Sequence, residues 1–149
     1  LLLYPTYEHQ KVELLKPAHH DTLAETFGDD DIPGLVTLGH WCQVTDKFEL
    51  QDESALDSLS EFHIWTDNYA QARLHWRPKS PLTVALLRVY ELQQPQALPI
   101  LDEYNGCKSW VELGQDVPLG YLNPVLSDSN YEIKADEVRK ALGAAPTAV

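Results

Sequence analysis

Between Leu35 and Leu50 the side chains alternate with a period of two. His40, Cys42, Val44, Asp46, Phe48 and Leu50 fall on one side of the chain. Trp41, Gln43, Thr45, Lys47 and Glu49 fall on the other. Only an extended backbone sends successive side chains to opposite faces, so this stretch commits the protein to a β-sheet. It reads as one long strand, or as two with a break at Gly39. A sheet with one apolar face needs something packed against it.

The remaining segments supply candidates. Leu82–Leu92 is the most apolar run, rich in β-formers, and is expected to be a central strand buried on both faces. Leu98–Leu101 reads as a short edge strand after Pro95, and Cys107–Leu113 as a further alternating strand. Leu1–Tyr4 looks like the end of a strand stopped by Pro5. Val117–Pro124 is read as a loop because of Pro118, Gly120 and Pro124, and Gly28–Gly34 as an acidic loop. Helices are expected at His19–Phe27, at Glu53–Leu59 capped by Asp52, and at Asp67–Trp76 capped by Thr66. The clearest is Asp128–Leu142. Its stripe is Tyr131, Ala135, Val138 and Leu142, and Gly143 stops it. Strands and helices do not alternate as βαβ units require. The expected class is therefore α+β: a mixed, mainly antiparallel sheet or a small partly open β-barrel, with about three short helices. A chain of 149 residues suits one domain spanning 1–149. The absence of Met suggests that it begins inside a longer polypeptide, with an N-terminal portion lying before it.

The net charge of −12 repels nucleic acid and anionic membranes unless the basic groups are segregated. No apolar run reaches the roughly 20 residues that span a bilayer, so no membrane partner is expected. Two cysteines, Cys42 and Cys107, are too few for a secreted disulfide scaffold. They read as buried or free thiols in a reducing, cytoplasmic setting, with a bond between them left open.

Three strings stand out: Leu3-Tyr4-Pro5-Thr6-Tyr7-Glu8-His9-Gln10, His63-Ile64-Trp65-Thr66, and Gly106-Cys107-Lys108-Ser109-Trp110-Val111-Glu112-Leu113. Together they resemble the bacterial family of domain of unknown function 1802, over Leu1 to about Leu142. That resemblance implies no activity, and it implies further residues before the Tyr-Pro-Thr-Tyr string. The order of elements across Leu35–Leu101 is in addition similar to PUA-like domains, the ASCH and EVE groups in particular. That likeness implies a small β-barrel that binds RNA or modified bases in an aromatic-lined cleft. A few ASCH members hydrolyse modified nucleosides.

Basic groups are segregated in one place. His63–Arg88 carries Arg73, Arg77, Lys79 and Arg88 against the single acid Asp67, net +3, together with Trp65, Tyr69 and Trp76. Guanidinium groups match phosphates bidentately and flat rings stack on bases. Trp65, Tyr69, Arg73, Trp76, Arg77 and Lys79 are thus candidates for binding RNA or single-stranded DNA. The alternative is that Trp65 and Trp76 are core or rim aromatics, and that the arginines pair with Asp46, Glu49, Asp52, Glu53 and Asp57. A second constellation would make the protein a small hydrolase or nuclease. Lys108 and Glu112 would share a strand face, Lys108 as base or phosphate ligand and Glu112 as proton shuttle, and His9, near a strand end, would act as general base with Glu8 or Glu112. Its alternative is an ion pair around a packed Trp110. A third reading is a protein-interaction module without catalysis. His40-x-Cys42 is at most half of a metal site. No glycine-rich phosphate loop, nucleophile elbow or zinc-protease helix occurs, and nothing names a cofactor.

Overall fold

The computed structural model describes residues 1–5, 11–21, 34–77, 80–104, 110–143 and 146. Its sheet has three strands in the order β1 (Leu35–Leu50), β2 (Leu82–Pro99) and β3 (Leu122–Pro124). The sheet is antiparallel and open, so among the described residues no barrel closes. Three α-helices lie wholly among these residues: α1 (Glu53–Asp57), α2 (Asp67–Leu74) and α3 (Asp128–Leu142). The protein is α+β, as the patterning indicates.

β1 is continuous through Gly39. Val36, Leu38, Cys42, Asp46, Phe48 and Leu50 are buried on its even side. Leu1–Leu3 lies against its edge through an antiparallel bridge at Leu2↔Trp41, with Cys42 N donating to Leu1 O at 2.7 Å and Leu3 N to His40 O at 3.0 Å.

β2 differs from expectation in two ways. It lies between the other strands but is covered on one face only: Thr83, Ala85 and Leu87 are exposed. It also runs through Pro95 and absorbs Leu98 and Pro99, expected to form a separate edge strand. The hydrogen-bond parity explains why Pro95 is tolerated. Val89 O accepts from Val125 N, and Gln93 N donates to Tyr121 O, so odd residues of β2 face β3. The β2–β3 register covers Tyr90–Leu92. Pro95 therefore turns its missing N–H toward an edge that β3 no longer covers. The stretch around Leu122, expected as loop, is β3 itself. Its Pro124, opposite Tyr90, has the outward parity on an edge strand, where no N–H is needed. Residues 110–113 carry no regular structure where a strand was expected. Most of the helix expected at His19–Phe27 lies outside the described residues.

By compactness the chain divides into two units. Unit 1 comprises Leu1–Gln10, Gly28–Gln43 and Val89–Val125. Its core is Val36, Leu38 and Leu98, joined by Leu2, Tyr4, Leu113 and Val117. Tyr4 and Tyr104 meet edge to face with ring centroids 6.0 Å apart, and the Tyr104 hydroxyl accepts from Gly114 N at 3.2 Å.

Unit 2 comprises Lys11–Phe27, Val44–Arg88 and Leu126–Val149. Its core joins Leu50, Leu56, Leu59, Ala70, Leu74 and Val138. Asp52 caps α1 by accepting from Ala55 N at 2.8 Å. Thr66 stands at the N-cap of α2 without a side-chain bond, and that helix ends at Leu74, two residues short of expectation. α3 has its expected bounds: Ser127 Oγ accepts from Asn130 N at 3.3 Å, and Gly143 closes the helix at φ +59°, a left-handed conformation that a side chain disfavours.

A polar seam ties α3 to the strands. Asp46, 3% exposed, accepts from Arg139 Nε at 2.9 Å and from a second guanidinium nitrogen at 2.8 Å. Thr45 Oγ1 donates to Asp46 at 2.8 Å and is hydrogen-bonded to the Tyr131 hydroxyl. Arg139 reaches Glu132 and Asp136 as well. Its hydrogen bonds hold the Asp46 carboxyl below the usual carboxylate range against the opposing effect of burial.

Candidate functional site

The basic, aromatic segment lines a cavity of about 480 Å³ in unit 2. α1 and the turn after it supply Leu56 and Leu59, α2 supplies Ala70, β2 supplies Leu82, Val84 and Leu86, and α3 supplies Val138. These walls are aliphatic. Ala85 of β2 and Phe62, His63, Trp65, Tyr69 and Arg73 complete the lining among the described residues.

The loop bearing His63 and Trp65 is clamped from the N-terminal side. Lys16 N donates to Ile64 O at 2.8 Å, Thr66 N donates to Leu14 O at 2.9 Å, and Leu15 bridges Trp65. The Lys16 ammonium binds the carbonyl of Ser60 and, at 3.2 Å, its hydroxyl, which in turn donates to Asp67 at 3.1 Å. This fixes Trp65 one helical turn before Tyr69, and their rings meet at 5.0 Å with a 48° tilt. Arg73 follows Tyr69 by four residues on α2, so the same face presents ring, ring and guanidinium in a row.

His63 is the unusual member. Its Nδ1 is buried and has no hydrogen-bond partner among the described residues. Burial, reinforced by the Lys16 ammonium, pushes its pKa below the ordinary histidine value, while the Trp65 backbone and the Asp67 carboxylate push the other way. The ring is therefore neutral at pH 7. In the sequence His63 stands at the head of the basic segment, and nothing there gives it a role. Its orphaned nitrogen and the aliphatic walls come from packing and leave no sequence signal.

The arginines separate into two kinds. Arg88, 5% exposed, is withdrawn from the surface: it bonds Asp128 at 2.8 Å and lies over the Tyr131 ring at 4.9 Å. Arg73 and Arg77 are exposed and have no carboxylate partner among the described residues. Four of the five acids expected to neutralise them are engaged elsewhere, and the fifth, Asp57, pairs with neither arginine. Asp46 holds Arg139, Glu49 holds Lys47 at 3.3 Å, Asp52 caps α1, and Glu53 meets His75 at 2.9 Å. Trp76 is 70% exposed, and the Arg73 guanidinium sits 5.7 Å from its ring centroid. Because α2 ends at Leu74, Arg77 lies beyond the helix and does not share its face with Arg73. Lys79 lies outside the described residues.

Of the residues expected to carry catalysis, Glu8, His9 and Lys108 lie outside the described residues. Glu112 is exposed on the irregular stretch 110–113, so the strand face expected to present it does not form. Cys42 is buried as a free thiol, and Cys107 lies outside the described residues. Among the described residues no three His, Cys, Asp or Glu side chains group to hold a metal, and no helix is long and apolar enough to cross a membrane.

No curated protein and no solved structure matches the chain, PUA-like domains included. The family model described as Domain of unknown function (DUF1802) matches residues 1–137 of the 149, so the chain belongs to the DUF1802 family.

Proposed function

We propose that the protein binds single-stranded nucleic acid, RNA or DNA, through Arg73, Trp76 and Arg77, with Trp65 and Tyr69 extending the row of rings. The observation that carries this reading is the pairing state of the two arginines. In a chain of net charge −12, both stay exposed without a carboxylate partner among the described residues, beside an indole that is itself mostly in water. Exposed rings give bases a stacking surface at small desolvation cost, and unpaired guanidinium groups are free to take phosphates. Lys79 would add a third cation.

The test is titration of fluorescently labelled oligo-U and oligo-dT with the full chain at two salt concentrations. Each lost phosphate contact should flatten the dependence of log K on log salt by about 0.7 for a single strand. Arg73→Glu and Arg77→Glu should each do so, and Trp76→Ala should weaken binding without changing the slope. Absence of binding in the parent at low salt, or binding indifferent to both reversals, refutes the proposal.

A further inference from the structure

We infer that the cavity of unit 2 is itself a binding site for a small amphiphilic carboxylate, its apolar body against the aliphatic walls and its anionic head at Arg73. This goes beyond the nucleic-acid reading, with which it shares Arg73, Trp65 and Tyr69. Protein interiors are close-packed, and voids larger than a water molecule are few. Here about 480 Å³ stays open against Leu56, Leu59, Ala70 and Val138, all of them core residues. Ala70 sits where a larger residue would fill part of that space. The volume falls within the roughly 300–1,000 Å³ of small-molecule pockets.

The chemistry of the lining selects the ligand. Eight of the walls, Leu56, Leu59, Ala70, Leu82, Val84, Ala85, Leu86 and Val138, are aliphatic and offer no side-chain hydrogen bond. A nucleobase laid against those walls would lose water from its ring nitrogens and exocyclic groups without replacement, since the side-chain polar atoms of the lining are confined to His63, Trp65, Tyr69 and Arg73. An acyl chain or a plain aromatic ring loses nothing of the kind. Among the described residues no carboxylate lines the cavity, although the chain has 23 acidic residues. Among the described residues the one charged liner is Arg73, and it has no acidic partner there. An anionic head therefore meets a free cation at the cavity and no repelling acid, and a cationic head meets the reverse.

The experiment is isothermal titration calorimetry of the full chain with decanoate, decanol and decylamine, each below its micelle concentration. Decanoate should bind saturably at one site, with decylamine at least tenfold weaker. Arg73→Gln should weaken decanoate about tenfold, the scale of one charge-assisted hydrogen bond, and leave decanol unchanged. Ala70→Leu, which adds bulk inside the cavity, should weaken all binding. If that variant does not fold, Val84→Phe fills the same space from the strand side. The inference is overturned if decanoate gives no saturable heat, if decylamine binds as well, or if Arg73→Gln leaves decanoate unaffected. Oligonucleotide and decanoate binding are read in separate titrations, so either reading fails without the other.

Discussion

Replacing Arg139 by Leu should destabilise the protein far more than replacing Asp46 by Asn, although both changes break the same ion pair. The asymmetry follows from what each leaves behind. Asp46 is 3% exposed, and without Arg139 its only remaining side-chain donor among the described residues is Thr45 at 2.8 Å. A buried charge stripped of its partner costs about 3–5 kcal/mol. For a chain of this size that lowers Tm by roughly 9–15 °C, at about 3 °C per kcal/mol. Asp46→Asn instead leaves Arg139 behind, and Arg139 is partly exposed and keeps Glu132 and Asp136 at 3.2 and 2.8 Å. The amide still accepts one hydrogen bond, so the cost should be about 1–2 kcal/mol. Replacing both residues by Leu should come within about 1 kcal/mol of the parent, because two apolar groups need no partner. Urea unfolding at pH 7, followed by far-ultraviolet circular dichroism and Trp fluorescence, measures all three, and the m-value should not change. The pH dependence adds a check of sign. The folded-state pKa of Asp46 lies below its unfolded value, so its contribution is fully present above about pH 4 and is lost as pH falls through the folded value. Asp46→Asn should flatten that acid limb. The reasoning fails if Asp46→Asn costs as much as Arg139→Leu, or if neither exceeds about 0.5 kcal/mol.

His63 gives a second, higher pH window. Its folded pKa is depressed mainly by burial, so the stability tied to its neutral ring is complete above about pH 6.5 and is lost as pH falls toward the folded value. His63→Gln should remove that part of the pH dependence, and an imidazole titration by NMR at or above 6.5 would contradict the assignment. In unit 1, Leu38 is fully buried between Val36 and Leu98, so Leu38→Ala should cost about 2–5 kcal/mol in denaturant unfolding. A loss under about 1 kcal/mol would mean that this small cluster relaxes around the missing side chain.

The elements legible in the sequence are those whose causes are local. The alternation of Leu35–Leu50 gave a strand with the correct buried face, because side-chain direction along a strand depends only on parity. α3 was legible to the residue, since the stripe of Tyr131, Ala135, Val138 and Leu142 and the stop at Gly143 are local signals. The segment rich in Arg and Trp was visible by composition, and it does line the cavity. What it could not show was which cations remain free. Arg88 and Asp128 are 40 residues apart, and Asp46 and Arg139 are 93 apart. Only tertiary packing brings these pairs together, taking Arg88 out of the basic surface and leaving Arg73 and Arg77 in it. Pro95 misled in the same way. Proline argues against a strand wherever its N–H is needed, and whether it is needed depends on where β3 stops. The cavity belongs wholly to tertiary structure, because a volume bounded by α1, α2, α3 and β2 is a property of their packing and of no segment alone.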